Sequence, residues 1–142
     1  MMEENGECIF CQIIAGDFPS RKIFETKDVL AFLDARPTNL GHTLVIPKKH
    51  VQSVMQIDDL VLGDIIVIIK RITKALKRIG ECEGVNILQN NGKAAGQVIP
   101  HAHFHIIPRV SGDFEITLPT VEVSPGKQDE LKERLKQLLG SE

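Results

Sequence analysis

The chain has no tryptophan and no tyrosine, and six phenylalanines are its only aromatics, so most large apolar volume must come from aliphatic side chains. Three cysteines, an odd number, exclude a fully paired disulfide framework and fit a reducing compartment. No apolar run is long enough to span a bilayer, and the start, Met1-Met-Glu-Glu-Asn-Gly-Glu7, is acidic where a signal peptide is basic. The expectation is a cytoplasmic protein with no membrane partner. An excess of one charge is also missing: 17 basic residues face 19 acidic ones, for a net charge of -2, and the basic residues are dispersed. That balance argues against an electrostatic grip on nucleic acid and leaves a small anionic ligand possible. No linker or repeat interrupts the 142 residues, 42% of them hydrophobic, so residues 1–142 read as one globular domain.

Against this ordinary background, three of the five histidines fall at alternate positions, in Pro100-His-Ala-His-Phe-His-Ile-Ile-Pro108. On a strand, alternation puts His101, His103 and His105 on one face and Ala102, Phe104 and Ile106 on the other. Two residues' rise separates neighbouring imidazoles by about 6 to 7 Å, close enough for all three to touch one ligand. Pro100 and Pro108 lack backbone donors and bracket a strand of about seven residues. A lone histidine reads as packing, but three in register need partners if buried, which points to metal binding or nucleotide chemistry.

The surrounding pattern predicts an α+β fold. The stretch after Cys11, Gln12-Ile-Ile-Ala15, reads as a short helix ended by Gly16, and residues 21–34 as a hairpin turning at Thr26-Lys-Asp28. Pro37-Thr-Asn-Leu-Gly41 is a turn leading into an apolar strand, 42–47, that would lie beside the histidine strand. Asp58 or Asp59 caps a long helix with Ile65, Ile66, Ile69, Ile72, Thr73, Leu76 and Ile79 on a broad apolar face, ended by Gly80. Val67 and Ile68 widen that face further. It calls either for deep burial or for a second subunit, hence an expected homodimer through this helix and a sheet edge. Residues 85–90 form a further strand, giving about five antiparallel strands. Ser124-Pro125 starts a C-terminal helix expected to turn Leu131, Leu135, Leu138 and Leu139 inward. Cys8-Ile-Phe-Cys11 could bind a metal or act as a redox pair.

The run His-Ala-His-Phe-His-Ile-Ile is similar to the His-φ-His-φ-His-φ-φ signature (φ apolar) of the histidine triad (HIT) family of nucleotide hydrolases and transferases. The resemblance extends in order through Cys8-Ile-Phe-Cys11, Gly41-His-Thr-Leu-Val-Ile-Pro-Lys-Lys-His50, Asn90-Asn-Gly92 and Gly96-Gln97. It implies a HIT-like α+β domain that attacks the α-phosphate of a purine nucleoside 5'-phosphate derivative through a nucleotidyl-histidine on His103. By the same resemblance His105 contacts the phosphate and His42 supports the nucleophile. Asn90, Gly96, Gln97 and Val98 surround the phosphate, Asp34 holds the ribose, and Ile9, Phe10, Ile13 and Phe32 line the base slot. Some microbial members carry a structural zinc on such a Cys-x-x-Cys pair, which here implies Cys8, Cys11, His50 and His101, in a role of stability and not catalysis. Val98 stands where several members have Ser or Thr, which leaves leaving-group preference open between phosphoramidates and dinucleoside polyphosphates. Two other readings stand beside this one: a zinc-dependent hydrolase using the histidine cluster, and a nucleotide-binding adaptor with little turnover.

Overall fold

The computed structural model describes residues 8–80, 82–113 and 115–140; the acidic start at residues 1–7 lies outside them. Five strands form one antiparallel sheet in the order β1-β2-β3-β5-β4. They are β1 (Arg21–Glu25), β2 (Val29–Leu33), β3 (Thr43–Pro47), β4 (Gly84–Gln89) and β5 (Phe104–Arg109). The helices are α1 (Ile9–Ala15), α2 (Asp59–Ile79) and α3 (Pro125–Leu139). The expected hairpin turns where Thr26 Oγ1 accepts from the Val29 amide, and β3 lies beside β5 as the sequence predicts.

β2 and β3 are buried on both faces, because a helix covers each side. Val29, Ala31 and Val45 join Phe104 and Ile106 under α2, while Leu30, Phe32, Leu44 and Ile46 pack with Phe10 and Ile13 of α1. The Asp58 carboxylate caps α2 by accepting from the Leu60 amide, and Cys8 Sγ caps α1 by accepting from the Cys11 amide.

The wide apolar face of α2 narrows in the fold. Ile65, Ile68, Ile69 and Ile72 are buried against the sheet, whereas Ile66, Val67 and Ile79 are exposed. The C-terminal helix departs further from expectation: α3 forms where its Ser124 cap and Pro125 start predict, yet none of its residues is buried and Leu131, Leu135, Leu138 and Leu139 all face outward. Amphipathic spacing says that a helix has an apolar face and is silent on what covers it; residues 115–123, between the sheet and α3, carry no regular structure.

The histidine strand also starts later than the prolines imply. β5 begins at Phe104, and Pro108 sits inside it opposite Val85. Proline is tolerated there because β3 pairs with β5 only as far as Ile106, leaving Pro108 at an open edge on that side.

The turn before β3 needs glycine. Gly41 has φ +92°, and a Cβ there would meet Leu76 Cδ2 at 3.0 Å and Pro108 Cγ at 3.2 Å. Gly41→Ala is expected to cost about 1 to 3 kcal/mol, read as a lowered denaturation midpoint with unchanged slope. An unchanged midpoint would contradict this account of the turn.

Candidate active site and metal centre

The sheet distributes the three histidines of the motif over two neighbouring sites, so the single row expected on one strand face is broken. His101 precedes the strand in a tight bend closed by its amide donating to the Ile99 carbonyl at 2.8 Å. The Ala102 amide donates to the Val51 carbonyl at 2.8 Å and so leaves the β ladder. His103 and His105 stay together, with ring centroids 5.0 Å apart.

The tautomers follow from the hydrogen bonds. His103 Nδ1 lies 2.7 Å from the His101 carbonyl, which can only accept, so Nδ1 carries the proton and Nε2 keeps a free lone pair. The Thr38 amide donates to His42 Nδ1 at 3.0 Å, so neutral His42 carries its proton on Nε2. That N–H donates to His105 Nδ1 at 2.9 Å, which places the His105 proton on Nε2. The pair is therefore an imidazole with an available lone pair beside an imidazole with an available N–H. His42 acts on His105; no bond joins it to His103.

Asp34 Oδ2 lies 3.5 Å from His42 Nε2, while Oδ1 accepts from the Arg36 amide at 2.9 Å. Asp34, His42 and His105 are close enough together to be considered as metal ligands. The 2.9 Å between the two ring nitrogens is a hydrogen-bond length, shorter than the N–N edge of about 3.3 Å in a tetrahedral site. The geometry here favours the hydrogen-bonded relay.

Burial keeps these rings neutral. Desolvation is the largest effect lowering the pKa of His105 to about 4, helped by His103 and His42 and opposed by the Asp34 charge. Desolvation likewise lowers His103 against the opposing His101 carbonyl bond and Asp34, and lowers His42 against Asp34. Two consequences follow. His103 stays neutral below pH 6.5, so if its lone pair is used in turnover the acid limb of kcat/KM is expected below that value, measured as a rate profile; a limb at or above 6.5 would contradict it. Groups with folded pKa below the unfolded value bind fewer protons when folded, so their contribution to stability is complete above about 6.5 and is lost as pH falls toward 4.

Of the residues implied for the base slot, Phe10, Ile13 and Phe32 are core, 3%, 5% and 3% exposed, with Phe10 edge-on to His103 at 5.2 Å between centroids. Ile9 is half-buried beside them. Gln97 is engaged inside its loop: Oε1 accepts from the Gly92 amide at 2.7 Å and Nε2 donates to the Gln52 and Ile99 carbonyls. Gly96 has φ +92°, with the Asn90 side-chain nitrogen 3.8 Å from where a Cβ would stand, and Val98 is fully presented at 88% exposure. A cavity of about 450 Å³ opens next to this loop, lined by Gln52, Ser53, Gln56 and Asn91 among others. A larger one, about 760 Å³, lies on the α2 side of the sheet and contains none of the histidines.

Sequence reasoning missed the backbone groups that set the tautomers: the Thr38 amide, the His101 carbonyl and the Pro47 carbonyl, which accepts from His101 Nε2 at 2.8 Å. No residue type signals a backbone contact. The only available cue is the Pro37–Gly41 turn just before His42.

His101 points its remaining nitrogen into a second site. Its Nδ1 lies 3.4 Å from Cys8 Sγ, 3.6 Å from Cys11 Sγ and 3.2 Å from His50 Nδ1, and Cys11 Sγ is 3.3 Å from His50 Nδ1. A tetrahedral zinc with sulfur and nitrogen ligands has S–N edges of about 3.6 Å and an N–N edge of about 3.3 Å. These four distances fall within about 0.3 Å of those edges. The His101 Nε2–H bond to Pro47 leaves Nδ1 unprotonated, as a metal ligand must be.

A five-stranded sheet thus carries paired imidazoles, one with an available lone pair and one with an available N–H, beside a Cys/His cluster. The HIT domain matches residues 15–112. The chain is 45% identical over 133 residues to an uncharacterized HIT-like protein of Methanocaldococcus jannaschii, covering 94% of this chain and 99% of that one. It is 43% identical over 130 residues to the adenosine 5'-monophosphoramidase of Schizosaccharomyces pombe, covering 90% and 95%. Its fold superposes on a HIT family member from Bacillus subtilis with a TM-score of 0.86 at 40% identity, covering 95% and 99%. It also superposes on a zinc-bound histidine triad family protein from Mycobacterium smegmatis with a TM-score of 0.73 at 34% identity, covering 95% and 97%. The protein belongs to the HIT family.

Proposed function

We propose that the protein is a nucleotide hydrolase or transferase acting on the α-phosphate of a purine nucleoside 5'-phosphate derivative. The observation that carries this reading is the paired tautomer state: His103 offers the Nε2 lone pair to phosphorus while His105 offers an Nε2–H to a phosphate oxygen. In the first step His103 Nε2 forms a bond to the α-phosphorus and the P–N or P–O bond to the leaving group breaks. Water or another acceptor then cleaves the nucleotidyl-histidine. Asp34 holds the ribose, Ile9, Phe10, Ile13 and Phe32 form the base slot, and Asn90, Gly96, Gln97 and Val98 line the phosphate side. The S. pombe relative's name supports an adenosine phosphoramidate among the candidate substrates. Incubation with a panel of phosphoramidates and dinucleoside polyphosphates should release the nucleoside monophosphate from at least one. A protein that binds nucleotide and turns over none of them is an adaptor.

The reading includes a structural zinc on Cys8, Cys11, His50 and His101, supported by the edge lengths of the cluster and by the zinc-bound relative. It also includes a cytoplasmic homodimer. Among the described residues no helix is long and apolar enough to cross a membrane. β4 is an unpaired edge, and Ile87, which shares the α2 side of the sheet with its partner Ile106, is half exposed, as are Ile66 and Val67 of α2. Sedimentation at micromolar concentration should give twice the chain mass, and Ile66→Glu with Val67→Glu should shift it toward monomer. A monomeric unsubstituted protein would overturn the assembly.

A further inference from the structure

We infer that the Cys8–Cys11–His50–His101 centre is a positioning device for His103, acting through the peptide that joins His101 to Ala102. The inference rests on the proposed role of His103 and goes beyond it by assigning the metal centre an effect on the chemical step.

One peptide unit connects the two sites. Its carbonyl belongs to His101 and accepts from His103 Nδ1 at 2.7 Å; its N–H belongs to Ala102 and donates to the Val51 carbonyl at 2.8 Å. The cluster grips the residue immediately before each of the two members of that last bond, with His50 before Val51 and His101 before Ala102. Their Nδ1 atoms sit 3.2 Å apart among the two sulfurs. The backbone bond and the cluster are thus adjacent rungs tying residues 50–51 to residues 101–102. Two rungs on consecutive residues fix both the separation of the segments and the rotation of the peptide plane between His101 and Ala102.

Further contacts remove the freedom that is left. The far nitrogen of His101 donates to the Pro47 carbonyl, and Ala102 and His101 are both 0% exposed. Because His101 and His103 precede β5, no cross-strand ladder holds this peptide in place. The rungs take the place of ladder bonds. If the His50–His101 rung opens, the 101–102 peptide can rotate and its carbonyl leaves His103 Nδ1. The ring is then free to put its proton on Nε2, the nitrogen that must attack. A metal held there would be bound by the Cys8 and Cys11 sulfurs and the His50 and His101 rings and not by His103, so His50 and His101 are positioning residues.

The test reads the tautomer directly, by imidazole nitrogen NMR of His103 in the full chain, zinc-loaded and then stripped. The zinc-loaded protein should show a single Nδ1–H tautomer. The stripped protein and His50→Gln should show a mixture, with kcat lowered roughly tenfold or more and KM little changed. Ile68→Ala, on the buried face of α2, should lower the melting temperature and leave both tautomer and kcat as they were. A folded protein, stripped or His50→Gln, that keeps the pure Nδ1–H tautomer and its kcat overturns the inference. If the tautomer follows zinc but no covalent adduct forms on His103, the coupling stands and the proposed chemistry fails. If an adduct forms on His103 while the tautomer is indifferent to zinc, the chemistry stands and the coupling fails.

Discussion

His103→Asn is expected to reduce turnover by on the order of 10⁴-fold or more while nucleotide affinity stays within a few fold of the original. The asymmetry comes from what the ring supplies. Asparagine can still donate to the His101 carbonyl, the acceptor 2.7 Å from His103 Nδ1, and can still fill the space edge-on to Phe10. It has no second nitrogen with a lone pair, so the bond to phosphorus cannot form. By contrast His42→Ala removes a group that bonds to His105 and not to His103. It should cost less, because His105 keeps its ring and loses only the partner that places its proton on Nε2. Comparable losses at both positions would indicate a relay in which no single ring is the nucleophile, and wild-type rates in His103→Asn would remove it from the reaction.

Loss of the proposed metal centre is the second large effect. Cys8→Ala with Cys11→Ala is expected to lower the melting temperature by on the order of 10 to 15 °C in the presence of zinc. A ligand bound only by the folded state at about 1,000 times its dissociation constant stabilises it by about 4 kcal/mol, and each kcal/mol moves the midpoint of a domain this size by a few degrees. The cluster joins three distant parts of the chain, since Cys8 lies 93 residues from His101 and Cys11 lies 39 from His50. Cys8 also caps α1, so the double variant frays the helix that carries Phe10 and Ile13 into the core. Elemental analysis of the purified protein should find close to one zinc per chain. A protein without metal, with two titratable thiols and an unmoved midpoint in the double variant, would refute the centre.

How much of the fold and site is legible in the sequence depends on whether the signal is local. The Asp58 cap, the Gly16 and Gly80 stops and the hairpin at Thr26 to Asp28 are short-range chemistry, and the elements they bound appear as expected. The antiparallel neighbourhood of β3 and β5 is also readable, from two apolar runs each leading out of a turn. The alternation of the histidines marks a site but misleads on its shape, because it implies one continuous strand face. The bend at His101 arises from the Ile99 carbonyl and the Val51 carbonyl, and backbone acceptors leave no mark on residue type. For the same reason the family resemblance directs His42 to His103, whereas its bond runs to His105. The leucines of α3 show the limit of periodicity, which identifies an apolar face but not the surface that covers it.

The measurement closest to the central claim is direct capture of the covalent intermediate. Rapid quenching into base during turnover of an adenosine phosphoramidate, followed by peptide mapping by mass spectrometry, should place an adenylyl group on the peptide carrying His103. It should fragment to His103 itself and be absent from His103→Asn. Steady turnover under the same conditions with no adduct on His103 at any time point, or an adduct on another residue, would contradict the account.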